Sequence, residues 1–485
     1  MFTDTHAHLT FPDYEKDIKD VLARARAAGV ETIINIGSGN GLEDNVRSLE
    51  LTKLDKNVYS TVGIHPHDAG KMNNVAEPFR VPQFNGRLKP SATEFLMNLA
   101  DDPKVVAVGE IGLDYHYIAK EAKGDFEKAK AAQIECFKKM LALASEKKLP
   151  VIIHDREAHA DTIFTIQHNQ GNDWGGVMHC FSGDNELARE VLDLGFYISV
   201  TGAVTFKKKA DILQDVVRYV PIERLLIETD SPFIAPEPYR GKRNEPAYVV
   251  EVAKKIAELK NLSLEDVGRI TTINAQRLFH LPGEIPEGRI AYAIRSSLYL
   301  NITNRCNLAC TFCPKQSGSY EVKGHNLKLS HEPDVEEVFK AIGEPKGFKE
   351  VVFCGYGEPT MRLEVVKAIA TRLKQLGARI RLDTDGLANL SHNRDVLPEL
   401  KGLIDEVSVS INAPDAASYV RLCPSKFGEK AFAAACEFIR EAKKYIPEVS
   451  ATAVTCPEVD IAACKKLVEK ELGVKFRPRP YQDLG

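Results

Sequence analysis

The chain has 485 residues, of which 44% are hydrophobic and 27% charged, and its formal net charge is −4. These values are ordinary for globular proteins and exclude collagen-like, coiled-coil and disordered chains. No apolar run approaches the roughly 20 residues of a membrane helix, and the N-terminus lacks a secretion signal, so we expect a cytoplasmic protein without a membrane partner.

The first 280 residues repeat short apolar runs, each followed by a helical stretch. Eight runs fit this description: 2–6, 32–37, 58–65, 105–109, 150–154, 176–179, 196–201 and 225–230. Such alternation predicts βαβ units with buried parallel strands. Eight units in this length predict an α/β fold, a TIM-like (β/α)8 barrel spanning residues 1–280.

Ionisable side chains stand where these predicted strands end. The carboxyl ends of parallel barrel strands converge on one face, so these side chains are expected to meet there. Imidazole and carboxylate donors without a thiolate favour a divalent ion such as Zn²⁺ or Mn²⁺, and six donors exceed the needs of one tetrahedral zinc. We therefore expect two metal ions that share a carboxylate and support hydrolysis. The alternative is that each histidine is an ordinary core or loop residue. The six donors are His6, His8, Glu110, His154, His179 and Asp230.

Five motifs in this region resemble those of TatD-type metal-dependent hydrolases. The resemblance covers residues 1 to about 280 and implies an amidohydrolase-like barrel with deoxyribonuclease-like phosphodiester hydrolysis. The motifs are Thr-Asp-Thr-His-Ala-His at 3–8, Val-Gly-Ile-His-Pro-His at 62–67, Val-Gly-Glu-Ile-Gly-Leu-Asp-Tyr at 108–115, His-Cys-Phe-Ser-Gly at 179–183 and Ile-Glu-Thr-Asp-Ser-Pro at 227–232.

The same resemblance implies a role for each donor. One divalent ion (Zn, Mn or Mg) would be held by His6, His8, Glu110 and Asp230, and a second by Glu110, His154 and His179. Asp230 would also steer the attacking water, with Glu110 and His65 completing the catalytic set. His65 would face the substrate phosphate.

Basic residues follow the last two predicted strands of the barrel. We expect Arg240, Lys242 and Arg243, and also Lys207–Lys209, to hold phosphate groups of a nucleic-acid-like substrate. The alternative is that they are solvated loop residues. Residues 1–290 carry 36 Lys+Arg against 43 Asp+Glu, a net charge of −7, which favours a small substrate or a strand end over a coated duplex.

Two prolines and two glycines mark a linker at 281–294, after which a second α/β domain is expected over 295–485. Residues 291–485 carry 28 Lys+Arg against 25 Asp+Glu, a net charge of +3, so the two halves differ in composition as well. Six apolar runs predict a partial (β/α)6 barrel: 298–303, 350–353, 379–383, 406–411, 448–454 and 475–479.

Three cysteines, Cys306, Cys310 and Cys313, follow the first of these runs with C-x3-C-x2-C spacing. Structural zinc takes four ligands, whereas three local thiolates match a [4Fe–4S] cluster with one iron open. Cys354, at the next predicted strand end, leaves a structural zinc or a fully ligated cluster as the alternative.

This spacing resembles the signature of the radical S-adenosylmethionine (radical SAM) superfamily, with an aromatic residue just before the last cysteine. The resemblance covers about 295–482 and implies that S-adenosylmethionine binds the open iron and yields a 5′-deoxyadenosyl radical. It also implies an electron donor such as flavodoxin or ferredoxin. The matching cofactor-binding positions are Phe312, Gly355, Gly357, Glu358 and Pro359, with Tyr356 inserted between the glycines, and then Asp383, Ser410 and Asn412.

The order of the two halves is that of a TatD-type hydrolase fused to a TatD-linked radical SAM protein. We therefore expect a bifunctional enzyme acting on a phosphate-containing substrate. One alternative is that only one half is catalytic and the other is a binding or scaffolding module. Another is that two independent activities share one chain.

Overall fold

The computed structural model describes residues 1–72, 91–121, 125–169, 175–208, 210–283, 288–343 and 347–479. Lys209 and residues 284–287 of the predicted linker lie outside the described residues. The chain divides into two compact units, residues 1–283 and 284–485, which are described separately.

The first unit contains eight parallel strands in sequential order among its described residues. Ala7 bridges Ser231 in parallel, so the first strand meets the segment after the last one and the sheet closes. The predicted (β/α)8 barrel is thereby confirmed. The strands are β1 (Phe2–Ala7), β2 (Val30–Asn35), β3 (Val58–Val62), β4 (Val105–Asp114), β5 (Val151–Arg156), β6 (Gly176–Met178), β7 (Tyr197–Val200) and β8 (Leu225–Ile227).

Helices alternate with these strands and cover the outside of the barrel. The strands are buried on both faces, as expected for a parallel barrel wrapped by helices. Leu278 and Phe279, at the end of the last helix, pack with side chains of the barrel interior such as Val106 and Leu226. The helices are α1 (Ile18–Ala27), α2 (Asp44–Leu51), α3 (Ala69–Met72), α4 (Ala92–Leu99), α5 (Tyr115–Glu121), α6 (Phe126–Lys147), α7 (His159–Gln167), α8 (Asn185–Asp193), α9 (Asp211–Tyr219), α10 (Val249–Lys260) and α11 (Leu264–Leu278).

The second unit contains an open sheet in the order β17-β16-β15-β14-β13-β10-β9 and a separate two-stranded hairpin, β11-β12. Six of the sheet strands are parallel, which confirms the predicted partial barrel. The strands are β9 (Ala291–Ile294), β10 (Ser297–Leu300), β11 (Glu321–Val322), β12 (His325–Asn326), β13 (Glu350–Phe353), β14 (Ile380–Thr384), β15 (Glu406–Ser410), β16 (Glu448–Val454) and β17 (Lys475–Arg479).

Strand β9 lies inside the segment that the sequence assigned to a linker. It pairs with β10 in antiparallel register, Ile294 opposite Ser297 and Tyr292 opposite Tyr299. Tyr292 and Ile294 are buried by this pairing. The proline and glycine signals therefore end before the strand begins, and the linker prediction was too long at its C-terminal end.

Helices pack on the apolar face of the second sheet. That core includes Leu298, Leu300, Leu382 and Val409. Because side chains alternate along a strand, the intervening residues face the other way, where Tyr299, Arg381 and Asp383 interact with one another. No helix of the described residues in either unit has the length and apolar character needed to span a bilayer. The helices are α12 (Val335–Ile342), α13 (Leu363–Gln375), α14 (Ala388–His392), α15 (Leu397–Leu400), α16 (Ala416–Leu422), α17 (Lys430–Ala442) and α18 (Ile461–Lys466), which continues into a π-helical turn at Leu467–Glu471.

Candidate functional sites

The six predicted metal donors lie together at the carboxyl-terminal end of the barrel. They come from β1, β4, β5 and the segments that follow β1, β6 and β8. Two backbone hydrogen bonds hold the segment after β8 against β1: Asp230 N donates to His6 O at 2.9 Å, and His8 N donates to Ser231 O at 2.7 Å. The closing seam of the barrel therefore positions three of the donors.

One donor set consists of His6, His8, Asp230 and one oxygen of Glu110. His6 Nε2 lies 3.2 Å from His8 Nε2, 3.4 Å from Glu110 Oε2 and 3.7 Å from Asp230 Oδ1. His8 Nε2 lies 3.5 Å from each of the same two oxygens. Ligands at about 2.0–2.1 Å from a tetrahedral zinc are themselves about 3.3 Å apart, so this spacing suits one small divalent ion.

A second donor set surrounds the other oxygen of Glu110. Glu110 Oε1 lies 2.5 Å from His154 Nδ1 and 3.1 Å from His179 Nε2. His65 Nε2 is also close, at 3.6 Å. The two oxygens of one carboxylate thus face two separate groups of imidazoles, which is the arrangement of a carboxylate shared between two ions.

The chemistry of these donors fits divalent cations. His6 and His8 are buried, and their Nε2 atoms face each other at 3.2 Å. Burial and the neighbouring His179 lower the pKa of His6, which keeps its imidazole neutral. The Nδ1 atoms of both rings have no hydrogen-bond partner in the described residues. Imidazole nitrogens and carboxylate oxygens packed this closely are the donor types that a divalent cation takes.

Two carboxylates that the sequence prediction did not include orient the histidines. Glu228 Oε1 accepts from Cys180 N at 2.6 Å and lies 3.1 Å from His179 Nδ1. Asp114 Oδ2 lies 3.3 Å from His154 Nε2 and 2.8 Å from His67 Nε2. Carboxylates on the far nitrogen of a ligating histidine fix its ring and tautomer. Glu228 and Asp114 stand inside the quoted motifs 227–232 and 108–115, so position within a motif was the available signal.

His65 occupies the cavity wall beside Glu110. Burial lowers the pKa of His65 to about 4, so the ring is neutral at physiological pH. Its Nδ1 accepts a hydrogen bond from His67 N at 3.2 Å, which leaves the proton on Nε2. Nε2 therefore carries a hydrogen-bond donor that an oxygen of a bound phosphate can use.

Five of the six donors, all except the fully buried His6, line a cavity of about 580 Å³, and one basic residue other than histidine lines it with them. Arg156, at the end of β5, is exposed, and within the described residues its guanidinium forms no ion pair. Sequence analysis missed Arg156, although it stands two residues after His154 on the same strand.

The basic residues predicted to bind phosphate lie elsewhere. Arg243 Nη2 forms an ion pair with Asp17 Oδ2 at 2.7 Å, and Arg240 stacks on the Phe206 ring at 3.5 Å. Neither residue lines the cavity, and neither do Lys242, Lys207 or Lys208. The structure therefore does not bring Arg240, Lys242 and Arg243 to the cavity, because the segment after β8 leaves it at Ile234 and Arg243 reaches the start of α1.

The three predicted cluster cysteines line a second cavity, of about 170 Å³, in the second unit. The structure brings most of the predicted cofactor positions to the same cavity. Pro359 is the exception, since it begins a buried turn behind the cavity wall. The predicted residues that line it are Cys306, Cys310, Phe312, Cys313, Gly355, Gly357, Glu358, Asp383, Ser410 and Asn412.

Glycine is required where the segment after β13 crosses the cysteine loop. A Cβ at Gly357 would lie 2.2 Å from Thr303 O, and one at Gly355 would lie 2.3 Å from Asn301 Oδ1. Glu358 anchors this segment, because its carboxylate accepts from Thr360 N at 2.9 Å and from Asp385 N at 2.7 Å. The glycines thus bring the backbone of this segment against the loop that carries the thiols.

The three thiols are of the type and number that an iron–sulfur cluster takes. Burial raises the pKa of Cys306 and of Cys313, and a hydrogen bond with Cys423, together with burial, raises the pKa of Cys310. A metal cluster supplies the positive charge that turns such thiols into thiolates. Cys354 lines the same cavity, and burial raises the pKa of its thiol to about 12.

Each unit of the chain matches a known family model. A family model described as TatD related DNase matches residues 3–280, and a model of the radical SAM superfamily matches 300–470. The metal-dependent hydrolase YabD of Bacillus subtilis is 40% identical over 281 residues, which are 58% of this chain and 100% of that protein.

Two further relatives match the same part of the chain. The 3′-5′ ssDNA/RNA exonuclease TatD of Salmonella typhimurium is 30% identical, over 57% of this chain and 98% of that protein. The crystal structure of YJJV, a TatD homologue from Escherichia coli K12, is 30% identical with a TM-score of 0.49 and covers 58% of this chain and 98% of that one.

Proposed function

Because the chain belongs to the TatD-related DNase family and carries a radical SAM domain after its hydrolase barrel, we propose that it is a bifunctional enzyme. Its first unit hydrolyses phosphodiesters with two divalent ions. Its second unit generates a 5′-deoxyadenosyl radical. None of the ten cysteines forms a disulfide within the described residues, which supports a reducing, cytoplasmic location.

The position of Glu110 carries the proposal for the first unit. Its Oε2 faces the set of His6, His8 and Asp230, and its Oε1 faces the set of His154 and His179. The proposed ligands of one ion are His6, His8, Glu110 and Asp230, and those of the other are Glu110, His154 and His179. Two ions held in this way activate water and neutralise charge on a phosphate group.

The chain's own residues supply the proton transfers and the positioning. Burial raises the pKa of Asp230, but its hydrogen bond with His8 and the nearby imidazoles outweigh burial and keep the pKa low. Asp230 is therefore ionised and accepts a proton from the attacking water. The water oxygen bonds to phosphorus, the ester P–O bond breaks, and solvent protonates the leaving alcohol. His65 donates its Nε2 hydrogen to a phosphate oxygen.

Hydrolysis of bis(p-nitrophenyl) phosphate and of a labelled single-stranded oligonucleotide tests the first activity. The full-length chain, loaded with Zn²⁺, Mn²⁺ or Mg²⁺ in turn, is expected to cleave both substrates, and His179→Ala is expected to lose both. Lys53→Gln, an exposed surface change, is the control. A correctly folded, metal-loaded protein that cleaves neither substrate would disprove the proposal.

The cysteine loop carries the proposal for the second unit. Cys306, Cys310 and Cys313 would hold a [4Fe–4S] cluster, and S-adenosylmethionine would occupy the adjoining cavity between Gly355, Gly357 and Asn412. Held by these three thiols, a cluster would supply an electron to the sulfonium of S-adenosylmethionine, with flavodoxin or ferredoxin as the reductant. Phe312 and Tyr292 line this cavity, where their rings would help to exclude water from the radical.

Anaerobic reconstitution with iron and sulfide, followed by S-adenosylmethionine and dithionite, tests this activity. Formation of 5′-deoxyadenosine, measured by chromatography, is the expected result. A loaded cluster that yields no 5′-deoxyadenosine would favour a scaffolding role for this unit.

A further inference from the structure

One guanidinium group lines the cofactor cavity of the second unit without an ion pair. Arg479 lies at the carboxyl end of β17 and is the basic residue that the described wall of this cavity contains. Within the described residues it forms no ion pair, and its buried Nε atom has no hydrogen-bond partner. A buried N–H group without an acceptor is unfavourable, so this position indicates that a ligand supplies the acceptor.

The sheet holds this guanidinium in place. Arg479 pairs with Val454 in the parallel register of β16 and β17, and Arg479 O accepts a hydrogen bond from Thr455 N at 2.8 Å. Its Nη2 atom donates to Ser410 Oγ at 3.2 Å. Because Ser410 Oγ accepts this bond, the hydroxyl proton is available to a ligand oxygen. An oxyanion at this point would therefore receive hydrogen bonds from both Arg479 and Ser410.

A second arginine on the same face of the sheet is neutralised by carboxylates. Arg381 Nε lies 3.1 Å from Asp383 Oδ1, and Arg381 Nη1 lies 3.4 Å from Glu350 Oε1. Asp383 lines the cavity together with Arg479, yet its carboxylate forms its ion pair with Arg381. The positive charge of Arg479 is therefore left for a group that the described chain does not supply.

The charges around the thiols show that the cavity has two different ends. Burial and the neighbouring carboxylates of Asp385 and Glu358 raise the pKa of Cys306, in the cysteine loop. Burial also raises the pKa of Cys354, but the positive charge of Arg479 opposes that increase. The cavity thus has an acidic end at the cysteine loop and a basic end at Arg479. S-adenosylmethionine bound to the open iron would have its methionyl group at the acidic end, which leaves Arg479 for a different ligand.

From this arrangement we infer that Arg479 and Ser410 form an anion subsite, which binds a carboxylate or phosphate group of the substrate on which the radical acts. The inference rests on the proposed radical function and specifies the chemical class of its substrate. A planar guanidinium suits both oxyanions, because its N–H groups can donate to two oxygens of one ligand. A neutral, apolar substrate would leave Arg479 unpaired inside the cavity.

Chemical modification of the reconstituted, full-length wild-type protein tests the anion subsite directly. Phenylglyoxal reacts with free guanidinium groups, and peptide mass spectrometry identifies each modified arginine. Arg479 is expected to react in the absence of added oxyanion and to lose this reaction when inorganic phosphate or acetate is added. Sodium chloride at the same ionic strength controls for screening. Arg421, which is exposed on α16 and does not line the cavity, is the control residue and is expected to react equally under all conditions.

Arg479→Gln gives a second measurement that needs no turnover. The anion that protects better, as radiolabelled phosphate or acetate, is bound in equilibrium dialysis to reconstituted protein without added divalent ions, so that the barrel does not bind it through such ions. Arg479→Gln is expected to bind one anion fewer per chain than the wild type, and Arg421→Gln as many as the wild type. Arg479→Lys keeps the charge but not the planar group, so it is expected to bind the anion with lower affinity.

The outcomes separate this inference from the function on which it rests. Protection of Arg479 by S-adenosylmethionine alone would assign this residue to the cofactor and overturn the substrate subsite. An Arg479 that does not react, or that reacts equally with and without oxyanion, would also overturn it. Stronger protection by phosphate would identify a phosphate group on the substrate, and stronger protection by acetate a carboxylate. Oxyanion binding that depends on Arg479, in a protein that forms no 5′-deoxyadenosine, would uphold the anion subsite and contradict the radical function.

Discussion

The two candidate sites of this chain are assembled in opposite ways. The metal donors of the first unit come from His6 to Asp230 and meet only because a closed barrel brings several strand ends together. The thiols of the second unit come from one loop, Cys306 to Cys313, that directly follows β10.

This difference shows where each site is vulnerable. The cysteine site depends on the spacing of the thiols within one loop. It also depends on the segment after β13, whose glycines allow its backbone to pack against that loop. A site built from several strands needs the whole barrel and the carboxylates that aim each histidine. The following predictions test this contrast, beginning with the largest expected effect.

Cys310→Ala should abolish 5′-deoxyadenosine formation and leave phosphodiester hydrolysis at the wild-type rate. Radical formation is lost because the two remaining thiolates do not retain the proposed cluster. Hydrolysis is kept because Cys310 and its sequence neighbours belong to the second unit and not to the barrel. Iron content, cluster absorbance and both activities are measured on one preparation. Loss of hydrolysis in this variant would mean that the two sites are not separable.

Glu110→Gln should lower hydrolysis by about 10²- to 10³-fold, as is typical when a charged group that stabilises the transition state is removed. The reason is that Glu110 faces both donor sets. Metal content, measured by plasma mass spectrometry, should fall below two ions per chain. Retention of both ions and of full activity would contradict the shared carboxylate, and an unchanged cluster absorbance serves as the internal control.

Glu228→Gln should weaken metal affinity or hydrolysis by roughly 10- to 100-fold, the usual effect of losing a carboxylate behind a ligating histidine. Glu228 contacts His179 Nδ1 at 3.1 Å and reaches no other predicted ligand in the described contacts. Glu186→Gln, an exposed change at the start of α8, is the control. Metal titrations of both variants measure the metal affinity. Equal affinities would show that metal binding does not depend on the contact between Glu228 and His179.

Arg243→Ala should leave hydrolysis unchanged and lower the stability of the first unit by up to about 1 kcal/mol, because its partner Asp17 is a partly exposed carboxylate. The hydrogen bond from Arg243 lowers the pKa of Asp17 to about 2 from its ordinary 3.8. A lowered carboxyl pKa stabilises the fold above pH 3.8, and the contribution disappears as the pH falls toward 2.

Denaturant unfolding of this variant and of the wild-type chain at several pH values tests the predicted pH dependence of the stability that the Arg243–Asp17 pair contributes. The difference in unfolding free energy between the wild-type chain and Arg243→Ala should be constant from neutral pH down to about pH 4. It should become smaller at lower pH. A large loss of oligonucleotide hydrolysis in Arg243→Ala would instead indicate that Arg243 binds a phosphate group of the substrate.

The predictable part of the structure follows from local patterns. Eight apolar runs in the first unit and six in the second coincide with parallel strands, because a buried strand needs a continuous apolar stretch whatever surrounds it. Strand β9 was missed, since four residues flanked by glycine and proline have no pattern that distinguishes them from a linker. Their strand depends on pairing with β10.

The donor types and the cysteine spacing are properties of the sequence by itself, and they determined which chemistry each unit can support. Tertiary structure decided which charged side chains serve those sites. Arg156 lines the metal cavity while Arg243 pairs with Asp17, and Glu228 contacts His179, although residue type and spacing do not assign these partners. The direction of a loop and the partner of a charge depend on packing between distant segments, and residue spacing does not record that packing.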